Sequence, residues 1–222
     1  MGTSAGHEIL ADHLSLRLKK EDILKNIQMR FTSGHIYGLV GRNGSGKSML
    51  MKCISGFIHP TSGRVLYDGQ IVGKDVDFIP DLGVIIETPG FISHYNGFKN
   101  LKLLADLRNR IGKAEIESAM EAVGLDPHMK KPVGTYSLGM QQRLGIAQAV
   151  MEKPDVLILD EPLNGLDTEG ALQIRELILN YKSENHIIIL ASHIEEDIRT
   201  LCDTVLVMEK GVLKSASGSM MN

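Results

Sequence analysis

Gly41-Arg42-Asn43-Gly44-Ser45-Gly46-Lys47-Ser48 follows an apolar run, Ile36-Tyr37-Gly38-Leu39-Val40, and precedes a helix-like stretch, Met49-Leu50-Met51-Lys52-Cys53-Ile54. The pattern is G-x-x-x-x-G-K-[ST] between a strand and a helix, the setting in which such a loop cradles phosphate. Its glycines let the backbone close around an anion, and successive N–H groups at a helix N-terminus point at it. Lys47 is placed to reach the β- and γ-phosphates, and the Ser48 hydroxyl to coordinate Mg²⁺. Gly41 to Ser48 are therefore expected to bind a nucleoside triphosphate.

A phosphate loop is shared by many chemistries, so the carboxylates that follow it matter. Val156-Leu157-Ile158-Leu159-Asp160 is an apolar strand ending in a carboxylate. Asp160 is expected to hold Mg²⁺ beside Ser48, directly or through water. Glu161 follows at once. Neighbouring residues of a strand face opposite ways, but at a strand end the chain can turn, so both carboxylates can reach one site. Glu161 is expected to orient or deprotonate an attacking water in line with the γ-phosphate. Of the eight histidines, only His193, at the C-terminal edge of the strand Ile187–Ala191, is placed to bond that phosphate.

The rest of the chain reads as alternating strands and helices. From about Ile9 to Val72 the pattern is short strands with turns, interrupted by the loop and its helix, which Gly56 and Pro60 close. Leu82–Ile86 is a further apolar run. Phe98, Leu101, Leu104, Leu107 and Ile111 then recur at helical spacing, as do Ile116, Met120 and Val123, so residues 88–133 read as a helical insertion. Strands return at Val156–Leu159, Ile187–Ala191 and Thr204–Met208, between helices near Gly139–Met151, Glu169–Tyr181 and Ile194–Leu201. Glu209-Lys210-Gly211 predicts a tight turn into a last short strand. Such alternation predicts an α/β core with a mainly parallel sheet and ligands at the strands' C-terminal ends.

Composition narrows the partners. The 222 residues carry a net charge of −3, with 43% hydrophobic and 23% charged residues. That balance is ordinary for a globular chain and gives no reason to expect nucleic acid. The apolar runs are far too short to span a bilayer and no signal-peptide pattern opens the chain, so a membrane role is expected only through a partner. Cys53 and Cys202 lack metal-ligand spacing and read as buried free thiols of a reducing cytosol. The opening Met1–Gly6 reads as partly an expression remnant, and Ser215–Asn222 as a disordered tail.

Together the segments resemble the nucleotide-binding domain of ABC transporters. The deciding stretch is Tyr136-Ser137-Leu138-Gly139-Met140-Gln141-Gln142-Arg143, similar to the family signature, and Asn164-Gly165-Leu166-Asp167 is similar to the loop after the family's catalytic Glu. The resemblance runs from about Ile9 to Gly211. It implies an ATPase using ATP and Mg²⁺, with a P-loop NTPase core, an N-terminal antiparallel β subdomain (residues 9–87 and 134–214 for core and β subdomain) and an inserted α-helical subdomain (88–133).

It implies further that two such subunits, as a homodimer, pair head to tail around ATP. Ser137, Leu138, Gly139, Met140 and Gln141 of one subunit would then complete the site of the other, and Asp167 would communicate between the sites. The helical insertion would dock on transmembrane permease subunits. The chain would be cytoplasmic, peripheral on the inner face of the cell membrane.

Three departures from the family pattern carry information. Ile85-Ile86-Glu87-Thr88-Pro89 places Glu87 where the family has a Gln that ligates Mg²⁺ and water. A carboxylate binds a hard cation more strongly and repels phosphate. Glu at this position resembles transporters of lantibiotic self-immunity, related to bacitracin-type resistance exporters. The signature reads Ser-Leu-Gly-Met-Gln, with Leu138 and Met140 replacing the usual residues and Ser137 and Gly139 retained, a variant of the same group. No aromatic residue precedes Phe31, so Leu18 or Arg17 is expected to meet the base, by apolar contact or by stacking. The expected function is export of an antimicrobial peptide; the alternatives are another exporter's ATPase subunit or a soluble, non-transport ABC ATPase.

Overall fold

The computed structural model describes residues 6–87 and 90–215. The opening residues before Gly6, Thr88 and Pro89, and the tail after Ser215 lie outside the described residues.

Two sheets organise the chain. The first is antiparallel, in the order β2-β1-β4-β5. It is built from β1 (Glu8–Leu18), β2 (Glu21–Thr32), β4 (Ser62–Tyr67) and β5 (Gln70–Ile71). In place of short strands, β1 and β2 form a hairpin of 11- and 12-residue strands. Irregularities at the middle explain why the pattern misled. The buried side chains of β1 run Ile9, Ala11, then Leu14, Leu16, so one extra residue breaks the alternation. His13 and Asn26 take left-handed backbone there (φ 51 and 48), and the register shifts between Ala11 and Leu14. The bulge re-aims the second half of the strand toward the same core.

The second sheet has the order β10-β9-β3-β8-β7-β6 and is parallel except for β10 against β9. Its members are β3 (His35–Val40), β6 (Leu82–Ile85), β7 (Val156–Asp160), β8 (Ile187–Ala191), β9 (Thr204–Glu209) and β10 (Val212–Ser215). Val156–Leu159 and Ile187–Ala191 are fully buried, as central parallel strands covered on both faces must be. One face packs α2 to α5: Gly97–Arg108, Lys113–Ala122, Leu138–Val150 and Thr168–Tyr181. The other packs α1 (Lys47–Ser55) and the antiparallel sheet, around Leu50, Ile54, Phe31 and Leu14. A short α6 (Glu195–Leu201) returns the chain from β8 to β9.

Most predicted elements stand within a residue or two. The exception in kind is α2. It ends at Arg108, capped by Asn109 in left-handed conformation (φ 52), so Ile111 lies beyond it. The stripe it buries is Gly97, Leu101 and Ala105, whereas Leu104 and Leu107 are 37% and 81% exposed. The apolar spacing was real but the core takes the neighbouring stripe. The two cysteines are free, Cys53 buried and Cys202 half-buried, and burial pushes both thiols up to about 12.

Candidate functional site

Every candidate residue of the core lies at the C-terminal edge of the parallel sheet, and the topology explains why. β3 delivers the phosphate loop, β7 delivers Asp160 and Glu161, β8 delivers His193, and β6 delivers Glu87. The loop, Glu87, Asp160 and Glu161 meet in a cavity of about 570 Å³ lined by Asn43 to Met49, Glu87, Leu138, Gln141, Gln142, Asp160, Glu161, Asn164 and Ile23. His193 does not line it and reaches it only through its contact with Glu161.

The loop is held open by its own backbone. Gly46, the residue before α1, has φ 113, a region closed to other residues. At Gly41 a Cβ would come within 2.3 Å of the Met208 carbonyl oxygen, so only glycine lets the loop pass β9. Lys47 is buried and donates through Nζ to the Gly41 carbonyl at 2.7 Å, folding its charge back over the loop. Helix α1 starts without any side chain capping its first N–H groups. Among the described residues, Ser45 Oγ is the one buried side-chain polar atom with no hydrogen-bond partner.

The carboxylates flank this opening. Ser48 Oγ donates to Asp160 Oδ2 at 2.5 Å, which joins α1 to the end of β7. Glu161 takes left-handed backbone (φ 51), and its N–H donates to the Ala191 carbonyl. That single turn lets the carboxylates of both Asp160 and Glu161 line one cavity. Glu161 Oε2 accepts from His193 Nδ1 at 2.7 Å and from the His193 backbone N–H at 3.3 Å. The strand end beneath His193 is anchored by a buried relay: Ser192 Oγ donates to Asp197, which accepts two bonds from Arg175. Glu87 sits at the rim, 66% exposed, with its backbone also left-handed (φ 64).

Chemically, the loop, Lys47 and the open helix start suit a polyanion, and the carboxylates suit a hard cation held partly by that anion. Among the described residues no group of three or more His, Cys, Asp or Glu side chains is set to hold a metal alone. A Mg²⁺ here fits the habit of that ion, which takes one or two carboxylates and completes its shell with phosphate and water.

The signature residues start helix α4. Ser137 is its cap, accepting from the Met140 N–H at 3.3 Å. Leu138 is 62% exposed, and Leu138 and Gln141 line the same cavity within one chain. Asp167 caps α5 through the Gly170 N–H and pairs with Arg143 of α4 at 3.3 Å. Of the residues expected to meet the base, Arg17 is bonded to Asp22 across the hairpin, holding that carboxyl below its usual range, and neither Arg17 nor Leu18 lines the cavity. Ile23, on β2, does. Sequence reading also passed over Gln142, whose side chain donates to the Glu161 and Pro162 carbonyls, and Asn164. Gln142 and Asn164 stood inside quoted motifs; for Ile23 there was no signal, because it arrives through the hairpin's tertiary packing.

The chain belongs to the ABC transporter family, whose conserved description matches residues 24–164. It is 41% identical over 204 residues to the uncharacterized ABC transporter ATP-binding protein YybJ of Bacillus subtilis (strain 168), covering 92% of this chain and 94% of the relative. It is 40% identical to the bacitracin transport ATP-binding protein BcrA of Enterococcus faecalis, over 92% of this chain and 67% of that one. The lantibiotic transport ATP-binding protein SrtF of Streptococcus pyogenes is 36% identical, over 86% and 82%. The fold matches a dimeric ATP-binding cassette bound to ADP and Pi in a post-hydrolysis state, with a TM-score of 0.83 at 18% identity, covering 95% of this chain and 99% of that one. The chain is thus the ATP-binding, ATP-hydrolysing subunit of a transporter. Among the described residues no helix is long and apolar enough to cross a membrane.

Proposed function

We propose that the chain binds Mg²⁺·ATP in this cavity and, as a head-to-tail homodimer, drives export of an antimicrobial peptide of the lantibiotic or bacitracin kind. The observation that carries the nucleotide reading is the unpartnered, buried Ser45 Oγ beside an uncapped helix start and the Lys47 ammonium. In this reading Gly41 to Ser48 hold the phosphates, Ser48 and Asp160 hold the cation, with Glu87 within reach of it, and Ile23 flanks the base. A bound cation would supply neutralisation of the phosphate charge.

Glu161 orients the attacking water and accepts its proton. His193 fixes Glu161 through Nδ1 and carries its other ring nitrogen toward the γ-phosphate. Ser137 and the N–H groups at the start of α4, with Gly139 leaving room for close approach, complete the site of the second subunit. Asp167 couples the two sites by tying the start of α5 to Arg143 of α4. Residues 88–133 form the unit that docks on the permease, at the inner face of the membrane. The similarity to the bacitracin transport protein BcrA and the lantibiotic transport protein SrtF supports the cargo class.

Glu161→Gln tests the chemical part. Turnover falls by about 10²- to 10⁴-fold, the range for loss of a general base, while ATP binding persists and the protein elutes as an ATP-bound dimer. Full hydrolysis by the variant contradicts the role. For the cargo, cells lacking the chain gain sensitivity to a lantibiotic or to bacitracin and regain resistance with the intact gene but not with Glu161→Gln. Equal sensitivity of all three strains contradicts it.

A further inference from the structure

The cavity holds three carboxylates, Glu87, Asp160 and Glu161, in a place argued to receive a polyanion. Asp160 is bonded by Ser48 and Glu161 by His193. Glu87 is answered differently: Lys52 Nζ donates to Glu87 Oε1 at 2.6 Å. Lys52 lies one turn beyond Ser48 on α1, only 22% exposed along its side chain, and does not itself line the cavity. Glu87 stands two residues beyond the end of β6, and its left-handed backbone (φ 64) is a strained conformation of the sort found at functional sites.

We propose that Lys52 is a positioning residue for Glu87. It holds the carboxylate against α1 while the site is free of metal, so that a third negative charge does not oppose incoming phosphates. An ion pair this exposed contributes little to stability, so it yields readily to a divalent cation. When the cation arrives with the nucleotide, Glu87 exchanges the ammonium for the metal, which a carboxylate favours as a hard oxygen ligand. The inference rests on the ATP site proposed above. It adds a residue to that site, together with a reason why a Glu is tolerated beside a triphosphate.

The test is a fluorescent ATP analogue titrated in EDTA, so that no hydrolysis enters. Lys52→Met, which keeps the apolar stem packed, weakens metal-free binding 3- to 10-fold. The same substitution on a Glu87→Gln background weakens it less than twofold, because no carboxylate is left to restrain. Equal weakening in both backgrounds overturns the proposal, since Lys52 would then act on the nucleotide directly; so does no weakening in either.

A second readout is Mn²⁺ affinity of the nucleotide-loaded protein, followed by the paramagnetic resonance of free Mn²⁺. Released from its tether, Glu87 makes Lys52→Met hold Mn²⁺ 3- to 10-fold tighter, and unchanged or looser binding overturns the proposal. If the unaltered protein fails to bind the analogue, the ATP site itself is refuted and this inference falls with it. If it binds but positions 52 and 87 show no coupling, only the role of Lys52 is refuted.

Discussion

The start of α1 and the start of α5 are the same structural object treated in opposite ways. Each is a helix N-terminus with orphan N–H groups and the positive end of a macrodipole. At α5 the chain closes the account with its own side chain: Asp167 accepts from Gly170 and takes Arg143 as counter-charge. At α1 the corresponding residue is Gly46, nothing caps the helix, no acidic residue stands in its first turn, and Ser45 Oγ is left without a partner. A protein normally satisfies such groups internally. The difference teaches that α5 is finished by the fold and α1 is finished by a ligand, an anion for which the Lys47 charge is already in place.

Breaking that contrast at α1 has the largest expected effect. Lys47→Ala removes a charge-assisted bond to phosphate, and ATP affinity measured calorimetrically falls roughly 10- to 150-fold, corresponding to about 1.5–3 kcal/mol. Unchanged affinity places the triphosphate elsewhere. At α5, Asp167→Ala costs stability, about 1 kcal/mol in denaturant unfolding, as expected for a lost cap, and leaves ATP binding by the monomer intact.

Asp203 supplies a control remote from both helix starts. Burial alone would raise its pKa, yet the Lys182 bond, the Ile36 N–H and the Lys182 and His35 charges together hold it below the usual carboxylate value. A depressed folded-state value stabilises above the ordinary pKa and is lost as pH falls through the folded one. Asp203→Asn therefore destabilises by about 1 kcal/mol at neutral pH, and its gap to the unaltered protein narrows in unfolding measured below about pH 4.

The smallest effect is the most pointed. Ser45→Ala deletes a hydroxyl that is buried and bonded to nothing, so the free protein changes by no more than about 0.5 kcal/mol, or becomes more stable. Its stabilisation by saturating ATP, in contrast, is reduced. A clear loss of stability in the free protein shows that Ser45 already had an internal partner.

What could be read in the sequence follows the same division. Gly41 to Ser48, Asp160 and Glu161 were legible because their chemistry is carried by neighbours in the chain, at spacings that a strand end or a helix start imposes. The parallel order was legible from the alternation of fully apolar runs with amphipathic ones. Ile23 and the Lys52–Glu87 pair were not, because they meet only after β2 folds over the loop and β6 settles beside α1. The buried stripe of α2 was misjudged for a related reason: Leu101 satisfies both candidate faces, and only the packing of Ala105 inward, with Leu104 and Leu107 outward, distinguishes them. The long hairpin was read as short strands because the bulge at His13 interrupts its alternation.

The contrast between the two helix starts can be measured in one titration. Backbone ¹H–¹⁵N spectra of the protein, taken as ATP is added in EDTA, report each amide separately without hydrolysis or metal. The account predicts that the amides of Gly44, Ser45, Gly46, Lys47 and Ser48 move furthest while those of Thr168, Glu169 and Gly170 at the start of α5 stay in place. Equal movement at both helices, or movement at α5 with none at Gly44–Ser48, contradicts it.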